Sequence, residues 1–313
     1  MYTWNSMDRQ FFTIIKSEVS SLIREKTVFL LFVVFFLMAF FSASIGWTTK
    51  TTVLGIYNES VRVLATGGEM HPPTNPFLAI PHLAIFRNLI IYVFLIGALL
   101  SIVIGYTSFI RERKSGATKL IFSRPISCRR FISGEIIGIS LALFGIMMIL
   151  CGISVVSTYF IPAQTLTGGE IVRLAVFYLI STIYMIFFAM LGMVGGIRAK
   201  TESLALLSPM IFWIAVTFIL PELITGQNPV ALLNPTNISQ GTMNSSFFGV
   251  MHQVLSPFSI EQFYTGLSTA LLDTTQQIPI PFLGALFGYL IASIGSVYYV
   301  VSKYRVTDDP FYV

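Results

Sequence analysis

The residues best placed to act on another molecule lie between Arg111 and Glu135, in the stretch RERKSGATKLIFSRPISCRRFISGE. Seven bases fall there: Arg111, Arg113, Lys114, Lys119, Arg124, Arg129 and Arg130. They surround three consecutive large apolar residues, Leu120, Ile121 and Phe122. Guanidinium and ammonium groups around an apolar knob can grip a protein surface. Ser115 can cap a short helix and Pro125 can end it. A solvated basic loop is the alternative that charge alone leaves open, and the exposed knob favours a partner.

Other candidate chemistry is thin. His71 and His82 lie in a Pro-rich segment, without Cys, Asp or Glu at a spacing that suits a metal site. Met185, Met190 and Met193, with Cys151, could offer soft ligands to Cu(I). The same spacing also serves ordinary helix packing. Cys128 and Cys151 are expected to be free thiols, one on the basic loop and one in an apolar run. The chain has no G-x-x-x-x-G-K-[ST] stretch, so it has no phosphate loop with which to hydrolyse ATP.

These groups must be positioned by membrane-spanning helices. Of 313 residues, 55% are hydrophobic and only 11% charged, against about 25% charged in a soluble domain; the mean hydropathy is +0.79. A helix needs about 20 apolar residues to cross the bilayer, and six runs qualify: Val28–Thr49, Leu89–Ile110, Ile136–Ile161, Leu174–Ile197, Leu204–Leu220 and Phe282–Ser302. None contains Asp, Glu, Lys, Arg or His. That argues against an ion-coupled carrier and against an intramembrane enzyme. The spacing therefore predicts an all-α membrane protein: residues 1–27 as an interfacial amphipathic helix and residues 28–313 as a six-span domain. Phe11, Phe12, Ile15, Val19 and Leu22 recur at helical spacing and form the apolar face of the first helix, which is expected to lie in the headgroup plane. The first run is too long for a signal-peptide core and is expected to remain uncleaved.

Charge sets the expected orientation. Arg9, Lys16, Arg24, Lys26, the seven loop bases, Arg198, Lys200, Lys303 and Arg305 fall on one side; Lys50, Arg62, Arg87 and Arg173 fall on the other. The positive-inside rule puts the larger group, and both termini, in the cytoplasm. The net charge of +5 is thus a matter of topology and gives no reason to expect nucleic acid. The 111–135 segment becomes a cytoplasmic loop. Residues 50–88 become an external loop with short helices at most. Residues 221–281 become an external segment with short external or re-entrant helices. Small residues recur every fourth position at Gly97, Ser101 and Gly105, at Gly192 and Gly196, and at Gly284, Gly288, Ala292 and Ser296, where helix backbones can approach closely. Packing within one bundle accounts for such stripes, and a dimer seam could use one of them.

The central loop resembles that of the ABC-2 type permeases, the membrane subunits of ABC exporters. Their loop reads E-R-x-S-G-T, then a Leu-rich turn, then P-[VI]-S-R, and later G-K. Here Glu112, Arg113, Ser115, Gly116, Leu120, Pro125, Ile126, Ser127 and Gly134 match. Ala117 stands where Thr is usual, although Thr118 follows; Cys128 replaces Arg, although Arg129 and Arg130 follow; Glu135 replaces Lys. The long external segment is similar to that of the branch serving nitrous-oxide-reductase maturation. The resemblance implies docking of a separate ATPase subunit through Glu112, Arg113, Gly116, Thr118, Leu120, Ile121, Phe122, Arg124, Pro125, Arg129 and Arg130. It implies ATP and Mg on that subunit, with none in this chain. It also implies a second permease copy, a possible external accessory protein, and the plasma membrane of a bacterium or archaeon. Export of a substrate is the expected function. Mechanical action on an external protein is the alternative, and an ion-coupled carrier or channel is the third reading.

The orientation is directly testable. Asn244→Cys should react with an impermeant thiol reagent from outside, and Cys128 only from inside. Labelling of Asn244→Cys only after the cell is opened would reverse the topology.

Overall fold

A chain in hydrocarbon must satisfy its backbone hydrogen bonds internally, and among the described residues every regular element is helical. The computed structural model describes residues 3–66, 81–114, 128–159, 166–225, 246–273 and 277–303. Six helical stretches there are long and apolar enough to cross a membrane: Val28–Thr66, His82–Arg113, Arg129–Tyr159, Gly168–Arg198, Glu202–Ile224 and Ile280–Lys303.

Helix α1 covers Thr3–Arg24 and α2 covers Lys26–Thr66. The chain scarcely breaks between them, since the Glu25 amide donates to Ser21 O and Phe29 donates to Glu25 O. The loop expected from residue 50 is corrected here. Helix α2 continues to Thr66, and its 41 residues span about 60 Å at 1.5 Å each, roughly twice the hydrocarbon thickness. No Pro interrupts Lys50–Thr66. The hydroxyls that made the stretch look loop-like bond back to their own helix: Thr51 to Trp47 O, Ser60 to Ile56 O and Thr66 to Arg62 O. After a 3-10 turn at His82–Phe86, the second span runs as α3, Arg87–Tyr92. A π-turn at Val93–Gly97 leads into α4, Ala98–Lys114. Helix α5 is Cys128–Tyr159, and α6 is Gly168–Arg198.

Helix α6 forms the centre of the bundle. Leu174, Phe177, Tyr184, Met185, Phe188, Met190 and Met193 are all buried. Its start is fixed by a capping box in which Thr167 and Glu170 exchange hydrogen bonds; His82 Nδ1 also meets Glu170 at 3.0 Å. The neighbouring α4 lies against α6 with backbone almost on backbone. A Cβ added at Gly105 would strike the Ala189 carbonyl, and one at Gly192 would strike the Ile102 carbonyl. At Gly196 it would lie 3.3 Å from Tyr106 O, and at Gly97 2.9 Å from the Phe35 ring. Gly284 and Gly288 have nothing within 4 Å, so that stripe packs against nothing described in this chain.

The fifth span is α7, Glu202–Ile214, then a π-turn at Ala215–Ile219 and α8, Leu220–Thr225. Two shorter helices follow, α9 at Ser246–Leu255 and α10 at Ile260–Leu272. The sixth span is α11, Ile280–Lys303. Helix α10 lies along α6 rather than above it. Tyr264 stacks on Tyr184 with ring centroids 4.3 Å apart, and its hydroxyl meets Ser181 Oγ at 3.0 Å. At the other end of α10, Arg173 Nη1 donates to Asp273 O at 3.4 Å. Residues 173 to 184 of a helix span about 16 Å, so α10 starts about halfway down the bundle. That depth carries a carboxyl into the core: Glu261 is buried and lies within electrostatic range of Tyr184.

The close approach of α4 and α6 predicts that Gly192→Ala is destabilising by about 1–3 kcal/mol, the cost of overpacking. Gly145→Ala should be neutral or better, because no described residue lies within 4 Å of that position. Thermal melting of the purified protein in detergent reads both, and equal midpoints for the two variants would contradict the contact.

Candidate functional site: the joint at the ends of the basic loop

Within the loop, Gly116, Thr118, Leu120, Ile121, Phe122, Arg124 and Pro125 lie outside the described residues. The structure instead describes the two helix ends that carry the loop. Arg129 and Arg130 are exposed in the first turn of α5. Arg111, Glu112 and Arg113 form the last turn of α4.

Arg111 is held by α1. One guanidinium nitrogen reaches Glu18 Oε2 at 2.6 Å and another pairs with Glu25. Its Nε lies 3.6 Å from Glu112. Ser108 donates to the other oxygen of Glu18 at 2.8 Å, and Thr107 to Glu25 at 3.3 Å. A guanidinium forking between two carboxylates is among the stronger polar contacts available to side chains. Helix α1 is also seated on α5: a Cβ at Gly134 would come within 2.6 Å of Ile14, and one at Gly138 within 2.8 Å of Glu18. Thus α1 bridges the end of α4 and the start of α5, the two roots of the loop.

Arg113 faces elsewhere. It is 2% exposed, and its Nη1 donates to Gly196 O at 2.7 Å and to Ala199 O at 3.1 Å. The last carbonyls of a helix lack intrahelical partners, and the helix dipole favours a cation there. Arg113 fills that position for α6. Of the residues expected on the docking surface, Arg113 is thus the one whose guanidinium is held inside the chain. Glu135 is 1% exposed, and neither carboxyl oxygen has a hydrogen-bond partner among the described residues. It lies within electrostatic range of Glu18, Glu112 and Arg111.

The apolar face expected on α1 divides in two. Leu22 is buried and Phe11 lies against Gly134, whereas Phe12 is 69% exposed and Ile23 is 67% exposed. Ile15 and Val19 are half-buried. Lys16, Arg24 and Lys26 lie exposed. The sequence reading passed over Glu18 and Glu25. Their signal was present: residues 18, 22 and 25 share one helical face, so the two acids flank Leu22 on the buried side. The candidate soft ligands Met185, Met190 and Met193 are buried packing residues, with Cys151 also buried. Among the described residues no three His, Cys, Asp or Glu side chains are grouped to hold a metal.

Six spanning helices, an amphipathic helix clamping the roots of a basic loop, and a central glycine-packed pair agree with the whole-chain comparison. The family model described as ABC-2 family transporter protein matches residues 12–304. The chain belongs to the ABC-2 family. It is a multi-pass membrane protein and the permease subunit of an ABC transporter, a subunit type that is typically not itself the ATPase. No curated protein matches the chain.

Burial at the joint has a titration consequence for this ABC-2 permease. Desolvation pushes the Glu18 carboxyl above the usual carboxylate range, against the pull of Arg111 and the Ser108 hydrogen bond. The folded state therefore holds that proton more tightly than the unfolded chain. The stability linked to it is fully present below the ordinary carboxylate pKa and is lost as pH rises through the raised value. Glu18→Gln should remove this part of the pH dependence of melting. Arg111→Ala, which strands two carboxylates, should cost about 1–3 kcal/mol, because Arg111 is only partly buried. An unchanged pH profile in Glu18→Gln, together with an unchanged midpoint in Arg111→Ala, would contradict the clamp.

Proposed function

We propose that this permease works as a dimer in the plasma membrane, with both termini in the cytoplasm, and that its 111–135 segment receives a separate ATP-binding-cassette subunit. ATP and Mg belong to that subunit. ATP-driven closure of two such subunits would push the loop, and the spans would rock between inward- and outward-facing states to export a substrate. The observation that carries this reading is the joint itself. Both roots of the loop are tied by buried polar and glycine contacts to α1 and α6, so a push on the loop would be transmitted rather than dissipated. Phe12 and Ile23 on the free face of α1, with Lys16 and Arg24 beside them, fit a helix lying at the headgroups.

A second reading has its own support. Helix α2 runs about 25 Å beyond Thr49, and Ile56 and Val63 on that projection are exposed. A projecting helix with an apolar face suits an external protein, on which the same stroke could act mechanically.

The test replaces Leu120, Ile121 and Phe122 in turn with Asp. Burying a large apolar side chain is worth roughly 1.5–3 kcal/mol, so loss of an anchor should weaken ATPase recovery about ten- to a hundredfold. Single charge-neutralising changes at Lys119 or Arg124 should matter less, because rim charges are screened. Full association and full coupling in all three Asp variants would remove the docking role. Transport of a labelled substrate into reconstituted vesicles separates export from action on an external partner.

A further inference from the structure

The two arginines at the end of α4 are two residues apart, yet they are committed to different parts of the molecule. Arg111 is bound to Glu18 and Glu25 of α1. Arg113 is bound to Gly196 and Ala199, at the turn where α6 ends and α7 begins. That turn is short: α6 ends at Arg198, and Thr201 caps α7 by accepting from the Leu204 amide. The two helices then run close together, since a Cβ at Gly195 would strike the Ala205 carbonyl and come within 3.1 Å of the Pro209 ring. A guanidinium bridging Gly196 O and Ala199 O therefore touches both sides of the α6 terminus.

We propose that Arg113 is the positioning residue through which displacement of the loop reaches the turn between α6 and α7, while Arg111 carries the same displacement into α1. The proposal rests on the coupling reading above and specifies its route within this chain. Three features support it. The guanidinium is almost fully buried, so its contacts are not exchanged with water. It satisfies helix-terminal carbonyls that have no intrahelical partner. Its anchor lies on α6, the central helix, and α6 is packed backbone to backbone with α4 through Gly105 and Gly192. That seam holds α4 against α6 as far as Gly196, and Arg113 extends the contact to Ala199, where the chain leaves α6 for the turn before α7. A lysine could keep the charge and contact one carbonyl, but it could not span two with a planar fork.

The experiment uses two thiols in the full complex of permease and ATPase. Native Cys128, at the first residue of α5, reports the loop root. A Lys200→Cys substitution reports the α6–α7 turn. Labelling rates are compared with and without ATP under turnover-arrested conditions. In the parent both rates should change on nucleotide binding. In Arg113→Gln the Cys128 response should persist, and the Lys200→Cys response should fall at least fivefold; Arg113→Lys should recover part of it. A merely structural role would lower both responses, or complex recovery, in parallel. Either that parallel loss or a full Lys200→Cys response in Arg113→Gln would overturn the proposal. If Arg113→Gln does not fold, the comparison is decided by Arg113→Lys, which must show a reduced Lys200→Cys response beside a normal Cys128 response. Failure of the parent permease to recover any ATPase would instead count against the coupling reading itself.

Discussion

The structure depends on the need to hold two guanidinium groups at the basic-loop end of an otherwise apolar bundle. A buried, unpaired arginine would be costly. Each here is met by groups that also need a partner: the carboxylates of Glu18 and Glu25 for Arg111, and the open end of α6 for Arg113. These contacts fix α1 beneath α4 and α5, and they join the last turn of α4 to the end of α6. The glycine seam between α4 and α6 continues that constraint for about two helical turns, from Gly196 back to Ala189.

The arrangement separates two kinds of stiffness. Along α4 and α6 the backbones touch, and small residues leave no side chain to adjust. Along α10 the contacts are aromatic and polar, with Tyr264 between Tyr184 and Ser181 and the Tyr289 hydroxyl on Pro257 O. Aromatic faces can slide or re-pack with less backbone movement than a glycine seam requires. Helix α10 therefore lies along the half of α6 away from the basic loop through a more adaptable surface.

How much of this the sequence carried follows from what each feature required. The six spans were legible because lipid demands long apolar runs, although the first turn of α6, capped by Thr167 and Glu170, precedes the apolar run that begins at Leu174. Helix α2 beyond Thr49 was not legible: Thr and Ser there satisfy their hydroxyls on their own helix, while their frequency imitates a loop. The resemblance placed Arg113 on the docking surface, because a base at the end of a span looks the same whether it faces headgroups or helix carbonyls. Only the approach of α6 decides which. Glu18 and Glu25 were readable from their face on α1, but their partner, some ninety residues on, was not. Glu261 showed only as an acid in a long segment without bases, and its depth depended on α10 folding back along α6.

The central claim is that the basic loop is seated on an ATP-binding-cassette subunit. A photo-crosslinking residue placed at Phe122 in the full-length permease, irradiated in native membranes, tests it most directly. The account predicts one dominant adduct with a protein whose sequence carries a phosphate-loop motif. Adducts only with lipid, or only within the permease chain, would contradict it.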